Sequence, residues 1–347
     1  MKKLLAKIRK SKDDAPQRIT NETVAEHREK ILAGGRRFKY PVQYARHRLV
    51  FNAIIISIAA LIVLILVGYW QLYPAQNTSS FMYSVTKVVP VPVASVDGQS
   101  VPYSDYLMKY RSSVHYLEQK EQISLKSEDG KRQIDFIKQK SMQDAIADAY
   151  AAKLAKELGI TVSDVELESF LKMQRQSSSG EVSQQTYDAV VLDYYGWGTD
   201  EYRYATKSKL LRQKVAYAID TNALALSTSL GTTLTSASSF QAVGTETNAK
   251  GGIQVVYGAS GLVPKTNQDG GLAAEAAKLE RGAVSTAIKS TTGDGYYYLK
   301  LLDINDTQVS YEYIQIPIAE FNNKLAAIEK AGKVSQYISI PKVDNTP

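Results

Sequence analysis

The sequence predicts an α+β protein carried behind a single N-terminal transmembrane helix. Three observations predict it. Residues 49–70, LVFNAIIISIAALIVLILVGYW, form an uncharged run of twenty-two positions. Between 104 and 219, apolar residues recur at helical spacing behind cap signals, which gives a cluster of long helices. A short β-type run, Val93–Val96, followed by the turn pair Asp97-Gly98, supplies strand character.

About 20 apolar residues in helical geometry cross the hydrocarbon core of a bilayer. A soluble helix of that length would show a polar face, and this run offers only Asn52 and Ser57 before its end. Tyr69, Trp70 and Tyr73 gather at its C-terminal side, where amphipathic rings favour the headgroup level, and Pro74 stops the helix. Residues 1–48 hold fourteen Lys/Arg and five Asp/Glu, a net of +9, while the whole chain is +7, so residues 49–347 carry −2. That asymmetry predicts a cytoplasmic N-terminus and an extracytoplasmic remainder in the cell membrane. The apolar run exceeds the ~7–15 residues of a signal peptide, so we expect an anchor.

The cations of 1–48 are spread out and interleaved with acids. They read as a topology signal with affinity for anionic lipid, not as a nucleic-acid arm. Within this tail, Asn21 is placed to cap a short helix, ETVAEHREKILA, closed by Gly34 and Gly35. The chain has no cysteine and only His27, His47 and His115, of which the last alone lies beyond the membrane run. Thiol chemistry, a Ser-His-Asp site and a His-rich metal site are therefore not expected, and the phosphate and dinucleotide motifs are missing. We expect no cofactor and no metal.

Residues 71–90 are polar and Pro-flanked without a helical period, and read as a linker. Val93–Val96, Asp97-Gly98 and Val101-Pro102 read as strand, turn and strand, and Ser104 as the cap of a helix carrying Tyr106, Leu107, Tyr110, Val114 and Leu117. Lys131 to Leu158 is helical and ended by Gly159, and Ser163-Asp164-Val165-Glu166 is a capping box. Another helix runs from about Gln184 to Tyr195. Gly196-Trp197-Gly198 is a turn, and Thr199 caps a helix to Ile219. A last helix, about 318–331, places Phe321, Leu325 and Ile328 on one side, and 339–347 reads as a loose tail.

The order VASVDGQSVPYSDYL, then AKELGITVSDVELESFL, then YYGWGTDEYRYATKSKLLRQKVAYAI resembles the N-terminal chaperone region of the SurA, PrsA and PpiD group of exported foldases, over about 91–219. In that group a parvulin-type prolyl isomerase domain usually follows. AKGGIQVVYG, 249–258, is similar to its Gly-Gly turn, with Val255 where Gly is usual, and 272–303 is similar to its closing helix, turn and strand. The resemblance implies a small sheet with flanking helices. Its opening strand is missing before residue 222, and VSYEYIQIP, 309–317, is similar to it instead. We therefore expect a circularly permuted sheet in which 309–316 fills the centre beside 295–302, since an empty centre would leave backbone groups unpaired.

The expected organisation is a basic tail 1–48, a transmembrane helix 49–70, a linker 71–90, a SurA-N-like helical domain 91–220, a parvulin-like domain with its C-terminal helix 221–338, and a tail 339–347. The two family histidines fall on Tyr297 and Tyr313, the candidate catalytic positions. Tyr257, Leu262 and Tyr296 are the candidate contacts for a proline ring. Rotation about an X–Pro bond faces ~18–20 kcal/mol and needs no nucleophile. A phenol keeps one hydrogen bond of such a site but is bulkier than imidazole, and aromatics are ordinary strand residues.

Three readings stay open. One is a holding chaperone for unfolded, newly exported polypeptides near the export machinery, with a degenerate isomerase domain. Another is a working isomerase with a Tyr-modified site, and the third is an envelope adaptor. The tyrosines and Trp197 of 103–116 and 187–204 are candidate client contacts under the first reading. His115 reads as a polar helix-face residue.

Overall fold

A computed structural model describes residues 20–39, 41–177, 180–236 and 239–341. Most of the basic tail's first half, 1–19, and the end of the C-terminal tail, 342–347, lie outside the described residues. The chain divides into two units, one ending at Leu72 and one beginning at Tyr73.

The first unit holds α1 (Asn21–Lys39) and α2 (Pro41–Leu72). Two details differ from the sequence reading. Asn21 is already helical, with Thr20 before it exchanging hydrogen bonds with the Thr23 hydroxyl. Gly34 and Gly35 do not end the helix, which runs on to Lys39. Glycine lowers helix propensity by about 1 kcal/mol, a cost that the flanking turns absorb. In α2, Pro41 takes the first-turn position that its fixed φ suits. The stretch His47–Leu72 is long and apolar enough to cross a membrane.

The second unit begins with α3 (Ser80–Val88), where the sequence reading had a linker. Ser79 caps it, accepting from the Met82 N–H at 3.3 Å. Met82 and Thr86 are buried, and Arg111 ties the start of the helix down by donating to the Thr78 carbonyl and the Ser80 hydroxyl, each at 2.7 Å. β1 (Pro92–Val96) and β2 (Gln99–Pro102) form a hairpin around Asp97 and Gly98, whose φ of 46° and 82° mark a primed turn. β10 (Val334–Gln336) pairs with the other side of β1. Among the described residues, the last strand thereby completes the first sheet.

The helical body consists of α4 (Tyr103–Gln119), α5 (Glu128–Leu158), α6 (Asp164–Gln174), α7 (Gln184–Tyr195) and α8 (Thr199–Ile219). A two-residue ribbon, β3 (Gln176–Ser177) with β4 (Gly180–Glu181), links α6 to α7. α4 packs on α5, and Tyr103, Tyr106 and Leu107 of the first and Met142 and Ile146 of the second are fully buried. Gly159 ends α5 in the left-handed region at φ 67°. The capping box at α6 is reciprocal: the Glu166 N–H donates to the Ser163 hydroxyl and the Ser163 N–H donates to the Glu166 carboxylate at 2.8 Å. Two expected caps differ. Pro102, not Ser104, precedes α4, and Gly198, not Thr199, precedes α8.

The C-terminal sheet runs in the order β5 (Val256–Ala259), β9 (Gln308–Pro317), β8 (Gly295–Ile304), β7 (Ile288–Lys289), all antiparallel, with β6 (Val263–Pro264) also on β9. Residues 309–316 therefore occupy a central position, with Ile314 opposite Tyr298 and Tyr313 opposite Leu299. Alternate side chains point to opposite faces. One face packs Tyr296, Tyr298, Ile314 and Ile316 on α9 (Thr221–Ser236) and α10 (Phe240–Ala249). The other packs Tyr297, Leu299, Leu301 and Tyr311 on α11 (Leu272–Ala276). α12 (Glu320–Lys330) docks through Phe321, whose ring centroid lies 5.6 Å from that of Tyr150. The start of the C-terminal tail is also held: Ile338 is buried and the Ser339 carbonyl accepts from the Gln76 amide at 3.0 Å.

Candidate functional site

Tyr297 and Tyr313 stand diagonally across β8 and β9 on one face of the sheet, with ring centroids 6.1 Å apart. The Tyr297 hydroxyl donates to Asp294 Oδ2 at 2.7 Å. Asp294 also accepts from the Thr292 hydroxyl at 2.7 Å and from the Gln315 amide at 3.2 Å. Burial opposes the charge on Asp294, but the hydroxyl donations from Thr292, Tyr297 and Ser290 outweigh it and hold the carboxyl below its usual range. Burial, then the bond to Asp294, raises the Tyr297 phenol well above the ordinary tyrosine value. Tyr297 therefore stays protonated at physiological pH and its proton is committed to Asp294. Tyr313 lies over Gly258 of β5, where a Cβ would come within 3.1 Å of its hydroxyl oxygen.

The other three candidates do not join this pair. Tyr257 and Tyr296 face the opposite side of the sheet. The Tyr257 ring rests on Gly244 of α10 and its hydroxyl shares a 3.0 Å hydrogen bond with Thr245. Tyr296 is buried edge-on against Tyr217 at 5.2 Å. Leu262 lies in the loop between β5 and β6 and is 56% exposed. A groove lined jointly by Tyr257, Tyr297 and Tyr313 is not formed, because the sheet itself separates the first from the other two.

The helical body presents a second cluster. Tyr195 stacks on Trp197 at 5.1 Å, and the Tyr187 and Tyr202 hydroxyls meet at 2.8 Å. Tyr116 of α4 lies 6.2 Å from Tyr194 of α7. The Trp197 indole N–H donates to the Met108 carbonyl at 3.3 Å, which fixes the turn between α7 and α8 onto α4. His115 bonds through Nε2 to the Asp193 carbonyl at 3.0 Å and stands against Gly196, so it is a strut between the same helices. α7 fully buries only Val191, leaving Val190, Leu192, Tyr194 and Tyr195 exposed, the last two at 46% and 45%. The tyrosines of the first stretch divide differently: Tyr103, Tyr106 and Tyr110 are core.

Sequence reading did not find Asp294 or Gln315. Asp294 sits in a Ser-Thr-Thr-Gly-Asp-Gly loop that reads as a turn, and Gln315 gains its place only from strand register.

Residues 44–216 match the SurA-like N-terminal domain. The match begins inside α2 and ends in the last turn of α8, so it takes in the whole helical body. The chain belongs to the SurA-like family. A solved structure from the pair of SurA-like chaperones PEB4, a virulence factor, and Cj1289, a periplasmic protein, of Campylobacter jejuni is similar over 70% of this chain and 91% of its own, with 14% identity and a TM-score of 0.26. No curated protein matches significantly.

Proposed function

We propose that the chain is a membrane-tethered, extracytoplasmic holding chaperone for unfolded, newly exported polypeptides. The observation that carries this reading is the apolar and aromatic surface of α4 and α7, with Tyr116, Val190, Leu192, Tyr194 and Tyr195 open to solvent within a SurA-like domain. Contiguous exposed apolar surface marks interaction sites, and tyrosine supplies large contact area with few rotors to freeze. SurA-like chaperones bind unfolded polypeptides, which supports the choice of client. The α2 stretch His47–Leu72 is the tether, and the fourteen cations of residues 1–48 favour a cytoplasmic N-terminus beside the export machinery.

In this reading residues 221–338 are a circularly permuted parvulin-like domain. The support is the central place of β9 between β5 and β8 and the meeting of Tyr297 with Tyr313 on one face. Isomerase activity is weak or absent. The Tyr297 proton is engaged by Asp294, and Tyr257 and Tyr296 are turned into the opposite core, so the residues expected to grip a proline ring do not converge.

The test is light scattering of an unfolded client in the presence of the full chain in lipid nanodiscs. We expect suppression of aggregation near equimolar ratio. We also expect most of it to be lost in Leu192→Ser/Tyr194→Ser/Tyr195→Ser while thermal stability is retained. Absence of suppression and of binding to unfolded chains would leave the adaptor reading in its place.

A further inference from the structure

A cleft of about 460 Å³ opens between α5, α8, α12 and the loop before β8. One wall is apolar, formed by Ile318, Phe321 and Leu325. The other carries Lys140, Lys209 and Arg212, with one carboxylate, Asp144, among them. Two of these cations are already engaged: Lys140 with Asp144 at 3.2 Å, and Arg212 with Asp148 at 3.0 Å. Lys209 makes no ion pair among the described residues. Partial desolvation, then the charge of Arg212, lowers its ammonium below the usual lysine range. Glu329, the acid on the α12 wall, is not among the groups that act on it. The side chain is nonetheless solvent-accessible, so a partner can reach it.

We propose that this cleft binds an extended polypeptide segment in which Asp or Glu neighbours an apolar residue. The carboxylate meets Lys209, with Arg212 adding to the field, and the apolar side chain lies on Ile318 and Leu325. The argument is one of complementarity. An ammonium crowded by a second cation and lacking a counter-ion gains most from a ligand carboxylate, and the facing wall offers apolar area within the same cavity. The rest of the chain beyond residue 48 is net −2, so this cationic wall is a local feature and not a reflection of overall charge. The inference rests on the client-binding reading above and assigns part of the client's chemistry.

The experiment measures fluorescence anisotropy of labelled peptides against the full chain in nanodiscs. One peptide alternates Leu and Phe with Asp and Glu, the second replaces the acids by Asn and Gln, and the third replaces them by Lys. We expect the acidic peptide to bind about fivefold tighter than its amide counterpart, an advantage that shrinks with added salt. Lys209→Gln removes the preference, and Lys209→Glu turns it toward the Lys peptide. Lys250→Gln, just past the end of α10, leaves it unchanged. Equal binding of acidic and amide peptides, or a preference that survives Lys209→Glu, overturns the proposal. So does a chain lacking 342–347 that alone shows the preference, because the occupant is then the chain's own end. Client protection without an acid preference sinks this inference only. Absence of both peptide binding and client protection sinks the functional reading with it.

Discussion

The Asp220 carboxylate accepts the N–H of Ala319 at 2.8 Å, across 99 residues of chain. The same oxygen takes the Glu320 N–H at 3.0 Å, while the other oxygen takes the Ala223 N–H at 3.0 Å. One buried side chain thus caps α9 and α12 together, and joins the end of the helical body to the helix that returns to it. An acidic group near unpaired N–H groups of a helix start satisfies both their hydrogen bonding and the helix dipole.

Asp220→Ala should therefore destabilise the second unit by about 2–4 kcal/mol, since two caps and three charge-assisted bonds are lost at a buried position. Asp220→Asn should cost less, because one acceptor oxygen survives. Chemical denaturation measures the difference. Hydrogen exchange should quicken at Ala319 and Glu320 before the helical body is affected.

Gly244→Ala should destabilise the C-terminal sheet by roughly 1–3 kcal/mol through overpacking. A Cβ there would meet the Tyr257 ring at 2.2 Å. Tyr257→Leu should relieve part of the cost in the double variant, and a double-mutant cycle reads the coupling. Additive effects would mean that Tyr257 does not rest on α10 in solution.

The acid limb of stability should depend on Asp294. Its carboxyl is held below the unfolded-state value, so its contribution is present above about pH 4 and is lost as pH falls through the folded value. Asp294→Asn should flatten the loss of stability in that window. Tyr297→Phe, by removing one donor, should shift the loss to higher pH.

The alkaline limb should depend on tyrosine. Tyr106, Tyr202, Tyr217 and Tyr311 all have phenols raised first of all by burial. Groups raised in the folded state stabilise it below their unfolded value and lose that contribution as pH rises, so stability should decline above about pH 10. Ultraviolet titration should show most tyrosinate appearing together with unfolding. Smooth ionisation in a folded chain would contradict the burial assigned here.

Tyr297→Phe with Tyr313→Phe should leave proline-peptide isomerisation unchanged, with the parent chain itself expected at or near the background rate. Catalysis that the double variant abolishes would establish a working, Tyr-modified isomerase. Orientation can be read separately, because the chain lacks cysteine. Ser113→Cys should react with an impermeant maleimide in intact cells, and Thr20→Cys only after permeabilisation.

Much of this organisation was legible from residue patterning. The uncharged run, the Asp97-Gly98 turn, the Gly159 stop and the Ser163–Glu166 box are local signals whose physics acts within a few residues. The place of β9 was legible because an unfilled sheet centre is costly. α3 was not, since nine residues with buried Met82 and Thr86 give too short a period and one of the two reads as polar. The separation of Tyr257 from Tyr297 was not legible either. Which face a strand residue takes depends on register, and a shift of one residue reverses every side chain.

The pairing of β1 with β10 has a bearing on how the chain is made. Val93–Val96 leaves the ribosome well before its partner Val334–Gln336. One edge of the first sheet therefore stays open until Val334–Gln336 has been made. The first sheet cannot close without that strand, so a chain cut short before residue 334 would be left with the same kind of unfinished surface that it is proposed to guard in others.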